Sequence, residues 1–400
     1  MKDKWLISVT AGTIQCHGIL EAKKIGLKVL SIDEDSNAKG FSFSDKIINI
    51  NLSRTDEILK IINDLNLNIV GAVSLCSDSG LILCAKIREY FNLPGEKEKI
   101  YKKFLNKGVF RSILSKNLIN NLDWVLASSP TEVKSCIDKF NSPLIIKPTE
   151  SSGSRGVSKI NSKFQDNLDL LIAKAFEYSK NKEVIIESYM DGFECTVETF
   201  TDKGVTTVLA ITEKLKVNNT DGLIAGELRT FNRELKLYNE ISNLIIKTIK
   251  IMDFNYGPCH SEVIVMKNGN IGIVEIGARG GGFLVFNSLV PLISGINIAK
   301  LTILQSIGMD IKIEKVEKNH AILKFISPEK GIIKSITGFD KLNEIDGLSG
   351  ESFVKVGDNV KFSESDGDRL GYMLSSGESY EQAEKLINNY ENLIKFTYDN

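Results

Sequence analysis

Histidine is scarce in this chain, and cysteine does not occur in closely spaced pairs. Three histidines are present among 400 residues, and the six cysteines, at positions 16, 76, 84, 136, 195 and 259, show no C-x-x-C spacing. Zinc sites are usually built from closely spaced cysteine and histidine ligands, so we do not expect one here. The cysteines are predicted to be reduced and mostly buried thiols of a cytoplasmic protein.

The chain also lacks an excess of charge and a long apolar run. Fifty lysines and arginines are balanced by 51 acids, which gives a net charge of −1. A surface for nucleic acid or membrane is therefore not expected, and basic groups that bind phosphate must be clustered locally. The first apolar stretch, Trp5 to Val9, is short and runs into a glycine turn. We predict neither a signal peptide nor a transmembrane span.

Two common nucleotide-binding motifs are missing as well. Strands alternate with helices over the first 95 residues, which indicates a parallel sheet. Asp33 ends the second strand about 20 residues after Gly12, where an acid that binds the ribose of NAD would lie. The turn at 10–15 lacks the G-x-G-x-x-G spacing, and we predict a Rossmann-like scaffold that does not bind NAD. No Gly-Lys-Ser/Thr sequence of a P-loop follows the serine- and glycine-rich loop at 151–157.

The most informative pattern that is present lies at 257–282. Asn268-Gly269 stands between two β-branched runs and predicts a hairpin with a two-residue turn. Such a turn pairs Lys267 with Asn270. Counting outward along both strands then places two glutamates opposite each other.

These glutamates, Glu262 and Glu275, predict a metal site. Directly opposed carboxylates repel each other, so a sheet that keeps such a pair usually holds a cation between them. Two oxygen ligands without a thiolate suit Mg²⁺ or Mn²⁺. Arg279 and three glycines follow and add a fixed positive charge and exposed N–H groups, which suit phosphate. A solvent-facing hairpin whose acids point into water is the alternative for the hairpin taken alone.

Further candidates for phosphate binding precede this hairpin. Asn106 can cap a helix that carries Lys107 in its first turn and Arg111 one turn on. Lys147 ends a buried strand, and the following loop could lay its N–H groups over phosphate oxygens. The loop residues that we assign to this role are Ser151, Ser152, Gly153, Ser154 and Gly156. A flexible hairpin connection remains the alternative for this loop taken alone.

Another apolar strand ends in a stretch that could border a nucleotide base. Its residues are Glu187, Ser188, Tyr189 and Met190, whose backbone groups could contact an adenine edge. Glu194, after the next turn, could accept hydrogen bonds from ribose hydroxyls. Taken singly, each acid is explained as an ordinary surface residue at a strand end.

The order of these elements resembles the ATP-grasp superfamily. It is most similar to the branch that contains biotin carboxylase, carbamoyl phosphate synthetase and carboxylate-amine ligases. The resemblance covers nearly the whole chain and includes Gly367-Asp368-Arg369-Leu370-Gly371-Tyr372 near its end. It implies an α/β (α+β) fold in five parts. These are a Rossmann-like domain (1–95), a helical linker (96–122), a lid (123–190), a core with an antiparallel sheet (191–310) and a biotin carboxylase-like C-terminal domain (311–400).

The resemblance also implies the cofactors ATP and Mg²⁺ (or Mn²⁺) and a role for each candidate residue. Lys107 and Lys147 would hold phosphates, and the loop would close over them. Residues 187–190 would border adenine, and Glu194 would bind the ribose. The remaining implied roles are metal ligation by Glu262 and Glu275, stabilisation of the transferring phosphoryl group by Arg279, and a further basic contact from Lys214. Gly277 departs from the family, which usually has an asparagine ligand there.

The implied reaction is an ATP-dependent ligation of a carboxylate to an amine through an acyl phosphate, with release of ADP and phosphate. Two alternatives are an enzyme of the carboxylase or formyl-transferring purine type and a non-catalytic ATP-binding protein. The expected partners are small molecules, a carboxylate and an amine, bound by loops such as 214–228 and 280–292. A homodimer is left open, because the sequence hides the oligomeric state.

Overall fold

The computed structural model describes residues 3–119, 122–140, 143–217, 224–314, 319–363 and 365–399. Parts of the predicted linker (positions 120 and 121) and of the predicted substrate loop (positions 218–223) lie outside the described residues. Within the described residues the strands form four sheets of four, eight, three and four strands. The predicted α/β (α+β) fold is confirmed.

The N-terminal sheet is parallel, as predicted. Its order is β3-β2-β1-β4, and it is flanked by helices. The strands are β1 (Lys4–Val9), β2 (Lys28–Asp33), β3 (Lys46–Asn49) and β4 (Asn68–Val73), and the helices are α1 (Cys16–Lys24), α2 (Thr55–Asp64) and α3 (Leu81–Tyr90). The carboxylate of Asp33 accepts hydrogen bonds from the N–H groups of Ala11 (2.6 Å) and Asp35 (2.9 Å). It is therefore engaged in fixing the first strand-helix connection.

Two helices lead from this domain into a small antiparallel unit. They are α4 (Glu98–Leu105) and α5 (Lys107–Lys116), and the side chain of Asn106 caps α5 as predicted, accepting from the N–H of Val109. The unit contains β5 (Trp124–Ala127), α6 (Pro130–Ile137), β6 (Leu144–Pro148), β7 (Ser158–Ile160), α7 (Leu168–Glu177) and β8 (Val184–Ser188), in the sheet order β5-β8-β6-β7. It has its own cluster of buried apolar side chains, which favours its behaviour as one body.

The central sheet has eight strands, in the order β13-β12-β9-β10-β11-β14-β18-β16. The strands are β9 (Gly192–Asp202), β10 (Val205–Lys216), β11 (Ala225–Thr230), β12 (Gly257–Met266), β13 (Ile271–Gly277), β14 (His320–Ile326), β16 (Leu348–Ser352) and β18 (Gly371–Gly377). The helices of this region are α8 (Lys236–Ile251), α9 (Val290–Ser294) and α10 (Ile298–Ser306). One buried cluster joins side chains of β1, β9, β14 and α9. The strand order also shows that β14, β16 and β18 of the C-terminal region extend the sheet formed by the strands of the core.

The remaining C-terminal elements lie beside this sheet. They are β15 (Gly331–Thr337), α11 (Phe339–Asn343), β17 (Asn359–Val360), α12 (Tyr380–Tyr390) and β19 (Lys395–Asp399), with β17-β15-β19 forming the three-stranded sheet. Within the described residues, no single helix is long and apolar enough to cross a membrane, although 285–294 and 298–306, bent by 107°, meet that test as a pair.

The hairpin of β12 and β13 has the predicted glutamate pair but not the predicted turn. Met266 and Asn270 pair at the end of the hairpin, with Met266 donating to the Asn270 carbonyl (2.8 Å), so the predicted pairing of Lys267 with Asn270 is wrong. The loop has three residues and ends in Gly269, whose φ of +85° favours glycine. An extra residue, Val274, bulges from β13 and shifts the register by one. The two deviations cancel, and Glu262 faces Glu275 as predicted.

Candidate active site

The small unit and the central sheet enclose a cavity of about 360 Å³. The Ser/Gly loop that follows β6 and the β12–β13 hairpin contribute to its lining. The sequence-predicted residues that line this cavity are Lys107, Lys147, Ser151, Ser152, Gly153, Ser154, Glu187, Ser188, Tyr189, Met190, Glu194, Lys214, Glu262 and Glu275. The fold therefore brings together candidates that are up to 168 positions apart in the sequence.

Gly156 and Arg279 do not line this cavity. Gly156 has a φ of +75°, and a Cβ atom there would come within 2.9 Å of Pro148 and Tyr178. It therefore allows close packing at the base of the loop.

A second cavity of about 340 Å³ adjoins the first. The two share part of the Ser/Gly loop (152–155), Lys214, Glu262 and Glu275, while Arg279 lines only the second. The paired glutamates thus lie where the two cavities meet. A group bound in one cavity could react there with a group bound in the other.

Lysines lie against both glutamates. Lys214 of β10 places its Nζ 2.6 Å from one oxygen of Glu262 and 2.6 Å from one oxygen of Glu194. Burial lowers the pKa of Lys214, but the two carboxylates outweigh it and hold the pKa above the usual range. The Nζ of Lys107 lies 3.3 Å from Glu275 and donates to the carbonyl of Ser151 at 2.6 Å. Lys107 therefore links the Ser/Gly loop to the hairpin.

Glu262 and Glu275 fit a magnesium or manganese ion as a partial ligand set. Among the described residues, no group of three or more His, Cys, Asp or Glu side chains could hold a metal ion. The nearest imidazole, His260, has its Nδ1 hydrogen-bonded to Glu198 and its Nε2 3.8 Å from Glu262. A metal at the two carboxylates would need its other oxygen ligands from phosphate and water, which Mg²⁺ commonly accepts.

Arg279 is placed by a residue that the sequence analysis did not identify. Its Nη2 lies 3.3 Å from the carboxylate of Asp78, in a helical turn of the N-terminal domain. A Cβ atom at Gly277 would come within 3.1 Å of the Arg279 Cζ, so the guanidinium lies over that glycine. An asparagine side chain at 277, as the family usually has, would meet the guanidinium in this arrangement.

Three buried charged side chains, Arg111, Lys147 and Glu187, support the small unit, and we call them the buried trio. The sequence predicted Lys147 and Glu187 as site residues, but it gave Arg111 no role. Arg111 of α5, 2% exposed, donates to Glu187 of β8, and the Nζ of Lys147 lies 2.6 Å from the same carboxylate. Arg111 also donates through Nη1 to the carbonyl of Ile273 (2.6 Å) and through Nη2 to that of Val274 (2.9 Å). One guanidinium therefore joins the small unit to the bulge beside Glu275. In the sequence, only the spacing of four residues between Lys107 and Arg111 on α5 indicates that Arg111 belongs to the site.

We predict an acid-sensitive contribution to stability from Glu187. Burial raises its pKa, but Arg111 and Lys147 outweigh it and hold the pKa at about 2. A depressed pKa stabilises the fold above the ordinary value of 4.5, and this stabilisation is lost as the pH falls from 4.5 towards 2. Glu187→Gln should lower the free energy of unfolding at pH 7 by about 3–5 kcal/mol, since it leaves two buried cations without a counter-charge. The free energy of unfolding of this variant should also depend less on pH between 4.5 and 2, because the variant lacks the carboxyl group that titrates there.

Urea unfolding between pH 2 and 7 measures both effects. Glu177→Gln, at an exposed site on α7, is the matched control and should leave stability and its pH dependence nearly unchanged. If Glu187→Gln were as stable as the wild type at pH 7, the trio would not contribute as described.

Two family models match the chain in sequence. One, described as an ATP-grasp domain, matches residues 140–286, and the other, described as L-amino acid ligase C-terminal domain 2, matches residues 324–399. The crystal structure of an L-amino acid ligase from Bacillus licheniformis superimposes with a TM-score of 0.83 at 21% identity and covers 100% of both chains. The ATP-grasp match at 140–286 contains the Ser/Gly loop and both glutamates.

Two relatives that align with most of this chain have low sequence identity. The formate-dependent phosphoribosylglycinamide formyltransferase of Prochlorococcus marinus is 24% identical over 404 residues, which cover 98% of this chain and 97% of that protein. The Sinorhizobium fredii protein y4rH is 22% identical over 324 residues, covering 80% of this chain and 66% of that protein. The chain thus spans slightly less than two thirds of the latter. Because the two matched domains follow one another and the fold agrees throughout with that of the Bacillus licheniformis enzyme, this chain contains an ATP-grasp domain followed by an L-amino acid ligase C-terminal domain 2.

Proposed function

We propose that the protein transfers the terminal phosphoryl group of ATP to a small carboxylate, which releases ADP, and that an amine then attacks the acyl phosphate to form an amide and release phosphate. The observation that carries this proposal is the junction of two cavities at Glu262 and Glu275. A nucleotide in the first cavity would bring its terminal phosphate to that junction. The carboxylate would reach it from the second cavity.

The first cavity supplies the groups that a nucleotide needs. Lys107 and the Ser/Gly loop would hold phosphates, residues 187–190 would border the base, and Glu194 would bind the ribose. The side chain of Glu187 is committed to Arg111 and Lys147, so its share in binding a base would come from its backbone. Lys147 would bind phosphate oxygens while its Nζ remains paired with Glu187.

Phosphoryl transfer requires positioning and charge neutralisation more than a nucleophile on the protein. A metal ion at Glu262 and Glu275 would offset the negative charge of the phosphates. Arg279 faces the second cavity and would hold oxygens of the reacting carboxylate with its planar fork. Cys76 also lines this cavity, but burial raises its pKa, and a protonated thiol is a poor nucleophile.

Hydroxylamine trapping tests the proposal directly. An acyl phosphate reacts with hydroxylamine to give a hydroxamate, so the protein is incubated with Mg-ATP, hydroxylamine and each of the twenty L-amino acids. We expect hydroxamate and ADP to appear together for at least one acid. ADP release that requires no carboxylate, or no ADP release with any of them, would contradict the proposal.

A second reaction is favoured by one comparison. The relative in Prochlorococcus marinus is formate-dependent by name and aligns with nearly the whole chain. Formate and bicarbonate are therefore included among the acids in the same assay. ADP release with formate or bicarbonate alone would favour this alternative over the activation of an amino acid.

Arg111 gives a further prediction about the metal site. In Arg111→Met the bulge carbonyls lose their donors, so Glu275 is held less well, while Lys147 and Glu187 remain as a neutral pair. We expect the Mg²⁺ concentration for half-maximal ADP release to rise about tenfold, as for other residues that position metal ligands. Lys116→Met, at an exposed site on the same helix, is the control. If Arg111→Met lost thermal stability but needed the same Mg²⁺ concentration as the wild type, Arg111 would stabilise the fold without positioning the metal ligand.

A further inference from the structure

Arg369 lies in the second cavity and has no role in the reaction as described so far. It lies between the helical turn Asp366–Asp368 and β18, and it is 5% exposed. Phe283, Phe325 and Asp366 line the cavity beside it. A buried arginine in a substrate cavity requires an explanation, because burying a charge is costly unless it is paired.

Within the part of the chain that the structure describes, Arg369 donates hydrogen bonds through one of its three side-chain nitrogens. Nη2 donates to the carbonyl of Ala225 (3.0 Å) and to the carboxylate of Asp366 (2.6 Å). Among the described residues, Nε is buried without a hydrogen-bond partner, and the hydrogen bonds of the guanidinium are those of Nη2. A guanidinium has five N–H donors, and leaving such donors buried without partners is unfavourable. The unused donors are suited to an oxygen acceptor from outside the protein.

Two aromatic rings hold this guanidinium in place. Its Cζ lies 3.6 Å from the ring centre of Phe325 and 4.6 Å from that of Phe283. Phe283 and the following Leu284 both have positive φ angles, +45° and +70°, which are unfavourable for bulky side chains. Strained backbone of this kind persists where the surroundings fix it, often at binding sites. The rings leave the edge of the guanidinium as its hydrogen-bonding surface, as recognition of a planar anion requires.

The charges of the second cavity favour an anion at this place. Burial lowers the pKa of Arg369 to about 10, and Asp366 offsets this only in part, so the group remains charged at neutral pH but is incompletely compensated. The other basic side chains of this lining form a second positively charged place near the paired glutamates: Lys214 and His260 lie against Glu262, Arg155 belongs to the loop shared with the first cavity, and Arg279 follows β13 by two residues. The reacting carboxylate is expected at that place, next to the glutamates. A second anionic group would therefore be bound by Arg369.

We propose that Arg369 binds the unreacted carboxylate of the amine substrate, which makes that substrate an amino acid. This inference rests on the proposed amide-forming reaction. An amino acid that is activated through its carboxylate carries a positively charged amine, which Arg369 would repel. The attacking amino acid keeps a free carboxylate through the whole reaction and can use Arg369 as its anchor. The apolar side chains of Leu228 and Val285 in the same lining would accommodate its remaining part.

The test compares acceptors with and without a carboxylate. The acid found by hydroxylamine trapping is held at saturation, and ADP release is measured against each of the twenty L-amino acids as acceptor. L-Alanine and L-phenylalanine are then compared with L-alaninamide and L-phenylalaninamide. We expect the wild type to prefer the free amino acids by about 30-fold or more in kcat/KM, a ratio that recognition of one buried charge can supply.

Arg369→Gln should remove this preference. We expect kcat/KM for the free amino acids to fall by about 30-fold, mainly through KM, with the amides and hydroxylamine within about twofold of wild type. Arg369→Lys keeps the charge but loses the fork and should retain part of the preference. Arg54→Gln, at a site whose side chain is 59% exposed, is the matched control. If Arg369→Gln does not fold, the lysine variant and the wild-type preference decide the question.

The possible failures can be told apart. If the wild type gives no hydroxamate with any acid, the proposed function itself fails. If hydroxamate forms but the wild type does not prefer free amino acids over amides, the assignment of Arg369 is overturned. An equal loss of activity of Arg369→Gln with amino acids, amides and hydroxylamine would show a structural role. A higher KM for the activated acid in the hydroxylamine assay would place Arg369 at the other substrate, and would also overturn the proposal.

Discussion

Replacing Glu275 by glutamine should abolish ATP turnover and leave the fold intact. The amide keeps the shape of the side chain but removes one of the two carboxylates that face each other on the hairpin. A single remaining carboxylate binds Mg²⁺ weakly, and the phosphates would lose the charge that offsets their own. We expect kcat to fall at least about 1,000-fold, which is about 4 kcal/mol of transition-state stabilisation.

The loss of Glu275 also leaves its neighbours short of negative charge. Lys107, 3.3 Å from this carboxylate, and the nearby Arg279 would keep their charges. Phosphate oxygens of ATP can compensate them, so ATP affinity should change much less than kcat. ADP release and a nucleotide-binding titration measure the two quantities. Glu351→Gln, at an exposed acid of β16, is the control, and far-UV circular dichroism checks the fold. Turnover within a few-fold of wild type would remove Glu275 from the metal site.

The glutamate pair shows how far the sequence can predict this site. The two β-branched runs around Asn268-Gly269 predicted the hairpin of β12 and β13, and counting outward from its turn predicted that the two glutamates face each other. The turn was predicted with two residues and has three, and the bulge at Val274 compensates for the difference. A bulge depends on what binds its free carbonyls. Here the donor is Arg111, 162 positions away from Ile273, and no local pattern reveals it.

Contacts that were missed share this long-range character. Asp78 reaches Arg279 across 201 positions, and Arg111 reaches Glu187 across 76. Periodicity and capping residues are local signals, so they predicted the helix cap at Asn106 and most strands of the N-terminal domain. They carry no information about which buried charges meet after folding. The Lys107–Arg111 spacing shows that a helix face can suggest a shared site without giving the partner.

Variants of Arg279 should affect the chemical step and leave the binding of ATP nearly unchanged. It lines the second cavity but not the first, and its guanidinium lies on Gly277 with Asp78 beside it. We expect Arg279→Lys to lower kcat at least about tenfold, about 1.4 kcal/mol, because lysine keeps the charge but loses the fork that holds two oxygens. Arg279→Met, which also loses the charge, should cost at least about 100-fold. ATP affinity should stay nearly constant in both variants.

Steady-state ADP release and a nucleotide-binding titration distinguish this role from a structural one. Arg279 could instead serve only to tie the hairpin to the N-terminal domain through Asp78, and lysine could replace it in an ion pair of that kind. Asp78→Asn is therefore the informative companion, because it removes the partner and keeps the guanidinium. If Arg279 acts on the reacting groups, Asp78→Asn should lower kcat less than Arg279→Met does. Equal losses in the two variants, or a loss confined to ATP affinity, would show that Arg279 holds the domains together and does not take part in the reaction.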